Sequence, residues 1–270
     1  MALTFPTTDL KKPSGLTAIP SGFKRPGFGT LYGFDAQGGA PAFSNSTSVS
    51  LDGTDDYIDV GNDSSLAPAN LTLSCWFKAS GTANTYNYLI SRNGATYGSY
   101  YLRYKGSGGA VGSNKFNYFM SVGTYFVQGD FNTSVDLTDW HHVALTYDGS
   151  YIKGYVDGNE DYSLAETRAI NYTADSTYGT DTWIGKGKYP DPAEGLIDEV
   201  AIFNTALSAS DITAIYNSGA PADLTSYSPV SWWRMGDNDG GTGTTITDQG
   251  SGGNNGTLTN GPTFSTTVPT

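Results

Sequence analysis

Four aspartates fall inside one short stretch, SLDGTDDYIDVG: Asp52, Asp55, Asp56 and Asp59. A further carboxylate pair, Asp198-Glu199, stands in the run GLIDEVAIF. Calcium takes oxygen ligands from loop carboxylates and backbone carbonyls. These residues therefore suggest a calcium site, with Asp56 and Asp198 as its ligands. The other reading gives the same side chains a local task, with Asp52 and Asp55 closing Asx turns and Asp198 satisfying nearby backbone. GDNDGG at 236–241 has the look of part of a calcium loop, but no glutamate closes it at EF-hand spacing.

Acid–base catalysis finds little to work with. His141 and His142 are the only histidines. Neighbours in a strand point to opposite faces, and a catalytic reading would need a nucleophile or carboxylate partner held at fixed geometry. The single cysteine, Cys75, allows no intramolecular disulfide. Its setting, LTLSCWF, makes it a small buried apolar residue. Aromatic residues offer a different chemistry. YLISRNGATYGSYYLRYKG can present Tyr97, Tyr100, Tyr101 and Tyr104 on a sheet, with Asn and Arg beside them. Rings stack on sugar faces while polar groups take the hydroxyls. Tyr97, Tyr100 and Tyr104 are accordingly the carbohydrate-binding candidates. The plainer alternative is that such tyrosines fill core and rim.

These side chains must be positioned by strands. DWHHVALTYDGSYIKGYVDGNE, residues 139–160, reads as strand, turn, strand, turn, with Asp148-Gly149 and Asp157-Gly158 as two-residue type I′ turns. Further short alternating runs lie at 71–78, 88–92, 100–104, 116–122, 182–184 and 196–203, each bounded by turn residues. One helix is legible after Leu207, with Ser208 as N-cap, Asp211 three residues on and Gly219 as its stop. The pattern predicts an all-β, two-sheet antiparallel sandwich over 46–235. An extended N-terminal arm precedes it over 1–45 and a Gly/Asn-rich tail follows over 236–270. The tail is read either as an edge hairpin or as a segment reaching a neighbour.

The arm is broken by Pro6, Pro13, Pro20, Pro26 and Pro41, yet it is rich in apolar side chains. That predicts docking on a partner, with Phe5, Phe23, Phe28 and Phe34 as anchors. The net charge of −12 argues against a nucleic-acid surface and against anionic membranes. No stretch approaches a membrane span, and MALTFPTTDLKKPSG lacks the apolar segment of a signal peptide.

Three motifs in order, SLDGTDDYIDVG, DWHHVALTYDG and GLIDEVAIFNTALS, resemble the laminin-G-like, concanavalin A-like jelly rolls related to pentraxins. VSWWRM at 230–235 looks like their closing strand. The resemblance spans about 46–235 and implies a two-sheet jelly roll that recognises or assembles rather than catalyses. Pentraxins carry an acidic ligand cluster before the GLIDEV-type strand. Here that stretch is GKGKYPDPAEG, with Lys186 and Lys188, so a pentraxin-type calcium site is not implied. The tail contains an element similar to the D-x-G-x-x-N-x-G-T-L segment that precedes the first strand in this family. Some relatives hydrolyse polysaccharides, but no E-x-D-x-E strand motif is present, which speaks against an enzyme. Stand-alone jelly rolls with arms resemble bacteriophage structural proteins. The expectation is a non-catalytic virion component, a decoration or fibre-type protein. It would assemble in a host cytoplasm, be exposed outside, and pair with itself and with other virion proteins. The alternative is a glycan-binding lectin or adhesin module, with host surface glycans as partners.

Overall fold

The computed structural model describes residues 43–80, 86–94, 97–106, 114–135, 138–189 and 191–270. The arm therefore lies, apart from 43–45, outside the described residues, and with it Phe5, Phe23, Phe28 and Phe34. Strands in chain order are β1 (Ser48–Asp52), β2 (Tyr57–Asp59), β3 (Leu71–Ala79), β4 (Tyr86–Arg92), β5 (Tyr100–Lys105), β6 (Lys115–Val122), β7 (Tyr125–Ser134), β8 (His141–Tyr147), β9 (Tyr151–Val156), β10 (Asn159–Ala165), β11 (Thr182–Ile184), β12 (Glu194–Phe203), β13 (Ser231–Trp233), β14 (Thr245–Ile246), β15 (Gly256–Thr259) and β16 (Thr263–Ser265).

Two antiparallel sheets of eight strands each result. The first runs β10-β9-β8-β3-β12-β1-β16, with β13 also paired to β12. The second runs β14-β15-β2-β11-β4-β5-β6-β7. This is the jelly-roll sandwich the alternation predicts. Leu73, Cys75, Leu145 and Ile197 of the first sheet meet Ile90, Leu102, Phe116, Tyr118 and Phe131 of the second in one buried core. Inward positions recur every second residue, as the strand pleat requires.

The two Asp-Gly turns differ. Asp157 (φ 49) and Gly158 (φ 76) are the central pair between β9 and β10, the type I′ pattern expected. The β8–β9 turn is displaced by one residue, so its centre is Gly149-Ser150. Only Gly149 has positive φ, at 84°, the pattern of a II′ turn. Asp148 closes it from outside: Oδ1 accepts from the N–H groups of Ser150 and Tyr151, both at 2.7 Å.

Helix α1 (Ala209–Tyr216) carries the capping box of Ser208 and Asp211. It stops earlier than expected, because Asn217 already turns left-handed (φ 48, ψ 43). Its Ile212 and Ile215 cover the outer face of the first sheet, against Ala144, Tyr155, Ala201, Phe203 and Trp232. Residues after 235 form no separate tail. Leu258 of β15 pairs with Ile58, Phe264 of β16 pairs with Val49, and β14 pairs with β15, so they complete both sheets.

Candidate functional site

The outer face of the second sheet is where an aromatic surface forms. In β5, Tyr101, Arg103 and Lys105 point outward, and Tyr100, Leu102 and Tyr104 point into the core. The register sets Tyr101 beside Phe119, and Arg103 beside Tyr88 and Asn117. Tyr101 and Phe119 stack at 4.9 Å and 14°. Phe126 of β7 stacks on Phe119 at 5.3 Å and 22°. Tyr97, from the β4–β5 loop, stands edge-on to Phe126 at 5.4 Å. Tyr88, Tyr101 and Phe119 are buried beneath this layer. Tyr97 and Phe126 remain open, at 44% and 48% exposure. Two flat apolar rings in water on a sheet exterior are not core packing, and the stack beneath fixes their orientation.

Polar groups surround the rings. On β7, exposed Gln128 pairs with Phe119, and Asp130 follows on the same side. Asp130 accepts from Lys105 Nζ (2.7 Å) and Asn117 Nδ2 (2.6 Å). The Arg103 guanidinium lies over the rings of Tyr86 (3.8 Å) and Tyr101 (4.6 Å). Its Nε donates to Asn117 Oδ1 at 2.8 Å, and Nη1 donates to the Tyr88 hydroxyl at 3.2 Å. Among the described residues it has no ion-pair partner. Burial raises the Asp191 carboxyl, and the Arg103 charge works against that rise. The same face continues to Trp183 on β11, where Lys186 Nζ sits 4.0 Å from the Tyr57 ring centre and 4.6 Å from that of Trp183.

Of the candidates named from sequence, Tyr97 lies in this surface. Tyr100 and Tyr104 do not. Tyr100 is wholly buried and donates its hydroxyl to Leu66 O at 2.9 Å. Tyr104 packs inside against Phe77 and Phe116 at 6.1 and 5.6 Å. The correction follows from parity: 100 and 104 share the inward phase of β5, while 101 and 103 take the outward one. Phe126, Phe119 and Arg103 were missed.

The proposed calcium pair is not brought together. Asp56 is buried in the β1–β2 turn, where Oδ2 accepts from Asp52 N at 3.1 Å. Its acidic companions are Asp52 and Asp55, with ligand atoms within 4.8 Å of one another, and Asp198 is not among them. Asp52 Oδ1 accepts from Thr54 N and Asp55 N, as an Asx turn does. Turn closure thus accounts for the group. Burial and the neighbouring Asp52 charge raise the Asp56 carboxyl.

Asp198 lies at 0% exposure on β12 and accepts from Asn45 Nδ2 and Glu199 N. Glu199 occupies the bulge of β12 at φ 47 and accepts from Trp232 Nε1 (2.5 Å) and Arg234 Nε (3.1 Å). Burial raises both carboxyls, Asp198 well above the usual range. Residues 43–46 lie across them. Phe43 stacks on Trp232, and Ser46 donates to Asp237, itself paired with Arg234. A substrate has no access to either carboxylate. His142 is likewise enclosed, its Nε2 at 2.9 Å from Ser74 Oγ, while His141 pairs with Asp157 at 2.8 Å.

Residues 52–213 match the family described as the concanavalin A-like lectin/glucanases superfamily. The chain belongs to this superfamily. No curated protein matches the sequence. Among solved structures, one from Bacteroides ovatus, described as a candidate carbohydrate binding protein, superposes with a TM-score of 0.64 at 20% identity. The match covers 84% of this chain and 62% of that one, so this chain spans less than two thirds of it. The CBM40 module of the Ruminococcus gnavus IT-sialidase, bound to α2,3-sialyllactose, gives 0.52 at 16% identity over 63% of this chain and 96% of the module. A heptameric SAP-like pentraxin from Limulus polyphemus gives 0.48 at 12% identity over 64% and 82%. At these identities the likeness is one of fold.

Proposed function

We propose that this superfamily member is a non-catalytic glycan-binding module whose binding surface is the outer face of its second sheet. The observation that carries the reading is the exposed pair Tyr97 and Phe126, braced by Phe119 and Tyr101 and bordered by Gln128 and Asp130. A sugar's C–H face stacks on such rings, and the amide and carboxylate take its hydroxyls. Because the rings are already fixed, binding loses little side-chain entropy. The Bacteroides and Ruminococcus structures are both described by carbohydrate binding, which agrees with this reading. The buried, fully engaged state of Asp198 and Glu199 supports the non-catalytic part, since glycoside hydrolysis needs two carboxyls facing the scissile bond.

The virion-assembly expectation depends on residues 1–42, outside the described residues, and none of the similarities speaks for it. Glycan binding is therefore preferred. A glycan microarray probed with wild-type protein and with the Tyr97→Ala/Phe126→Ala double variant tests it. Defined oligosaccharide hits that disappear in the folded double variant are expected. A wild type without hits, or hits that survive both substitutions, contradicts the proposal.

A further inference from the structure

Exposed aromatic rings are not spread evenly over the molecule. Among the described residues six stand more than a third exposed, and four of these, Tyr97, Phe126, Tyr178 and Tyr189, lie on the outer face of the second sheet. Single exposed rings are ordinary, but these four form a row across the strands. Tyr97 and Phe126 mark its β7 end. Tyr178 marks its β11 end, edge-on to Trp183 at 5.8 Å and 77°. Trp183 points outward because it pairs with Ser91, and Ser91 pairs with outward Tyr101. Tyr189 stands between the two ends. The chain after β11 folds back over β4, where Lys186 O accepts from Ser91 Oγ at 2.6 Å. Gly187 then lies so close to Tyr88 that a Cβ there would be 2.5 Å from Cδ1. Burial raises the Tyr88 and Tyr101 phenols, and neighbouring Tyr189 adds to the rise. Lys188 Nζ donates to Asp175 Oδ2 at 2.6 Å, which ties the segment of Tyr189 to the turn of Tyr178. Asp175 Oδ1 fixes that turn by accepting from the N–H groups of Thr177 and Tyr178. The path from β7 to β11 is four strand steps, roughly 19 Å at about 4.8 Å each.

We infer that the glycan recognised on this face is a linear chain, bound along an internal stretch that crosses the strands from Phe126 to Tyr178, and not a terminal sugar. One pyranose ring cannot touch aromatic rings so far apart, whereas successive residues of a chain can stack on each in turn. Lys186 Nζ rests on the Trp183 ring at 4.6 Å and offers a hydroxyl a donor at that end, as Gln128 does at the other. Rings already held in place lose little entropy when a further sugar docks on them, so each added contact strengthens binding. The inference rests on the glycan reading for the ligand class, and it adds Tyr178 and Tyr189 to the surface.

The test is calorimetric titration of the full chain with cello-, xylo-, manno- and laminari-oligosaccharides, each from the monosaccharide to the hexasaccharide. In at least one series affinity should climb from the disaccharide through the tetrasaccharide. Tyr178→Ala and Tyr189→Ala, both at exposed positions, should each weaken that hexasaccharide about 3–10-fold and shrink its advantage over the disaccharide. Tyr151→Ala, exposed on the other sheet, should bind as the wild type does. The inference is overturned if no hexasaccharide binds, if affinity stops rising before the tetrasaccharide, or if the hexasaccharide binds either Tyr178→Ala or Tyr189→Ala as it binds wild type. In the last two cases loss of binding in Tyr97→Ala/Phe126→Ala would still uphold the glycan surface, so the two readings fail separately.

Discussion

Gly154→Ala is the sharpest probe of how the two sheets meet. Gly154 faces inward on β9, and a Cβ built there would lie 2.4 Å from Phe131 Cζ and 2.5 Å from its Cε1. Carbon atoms pack at roughly 3.5–4.0 Å, so one partner must move by more than an ångström. Phe131 has little room to do so. It is fully buried, stacks on Tyr162 at 6.1 Å and 12°, and packs near Phe116 at 6.4 Å. Overpacking of this kind costs about 1–3 kcal/mol, or about 2–10 °C in Tm for a domain of this size. Differential scanning calorimetry on Gly154→Ala, Phe131→Leu and the double variant completes a cycle. The smaller Leu makes room for the added methyl, so the double variant should be more stable than the sum of the single losses by about 1 kcal/mol. An unchanged Tm in Gly154→Ala, or strict additivity, would refute this packing.

Further outcomes follow from the turns and the buried titrating groups. Gly149→Ala meets no clash, its nearest neighbour being Asn70 Oδ1 at an ordinary contact distance of 3.7 Å, so only backbone strain opposes it, at about 1 kcal/mol or more. Gly158→Ala, also at positive φ, would set its Cβ 2.9 Å from Tyr216 Cδ1 and should lose about 1 kcal/mol or more; an unchanged Tm would contradict the helix position. Burial pushes the Cys75 thiol far up, so it should resist aromatic disulfide reagents in native protein and react promptly in guanidinium. Burial pushes His142 down to about 4. Above pH ~6.5 both folded and unfolded forms are neutral there. Below it the unfolded chain takes up the proton first, so stability falls as pH drops toward 4, by at most about 3 kcal/mol. His142→Gln should flatten that part of a pH–Tm curve; an unchanged slope would count against an enclosed neutral ring.

The sandwich was legible because turn residues bound each strand and the pleat imposes a period of two. The helix was legible from Ser208 and Asp211, whose reciprocal bonds are local. The binding face was harder to read. YYLRYK carries large side chains in both phases because both faces of β5 are covered, one by the opposite sheet and one by the aromatic stack. Inward and outward tyrosines therefore look alike in the sequence, and composition alone does not separate Tyr100 and Tyr104 from Tyr101. Phe126 left one trace, adjacent aromatics Tyr125-Phe126 in a strand whose two phases cannot both be core. The tail's pairing with β1 and β2 joins residues about 200 apart in sequence, and no local pattern encodes it. The seclusion of Asp198 and Glu199 likewise depends on distant Asn45, Trp232 and Arg234.

The most direct measurement is calorimetric titration of the best microarray oligosaccharide into wild type, Tyr97→Ala, Phe126→Ala and Tyr151→Ala. Tyr151 is the control, being 47% exposed but on the first sheet. Each ring of the second sheet should contribute about 1–2 kcal/mol, so Tyr97→Ala and Phe126→Ala should each weaken binding roughly 5–30-fold. Tyr151→Ala should bind as the wild type does. Equal weakening in all three variants, or undiminished affinity without Tyr97 and Phe126, would contradict glycan recognition on this face.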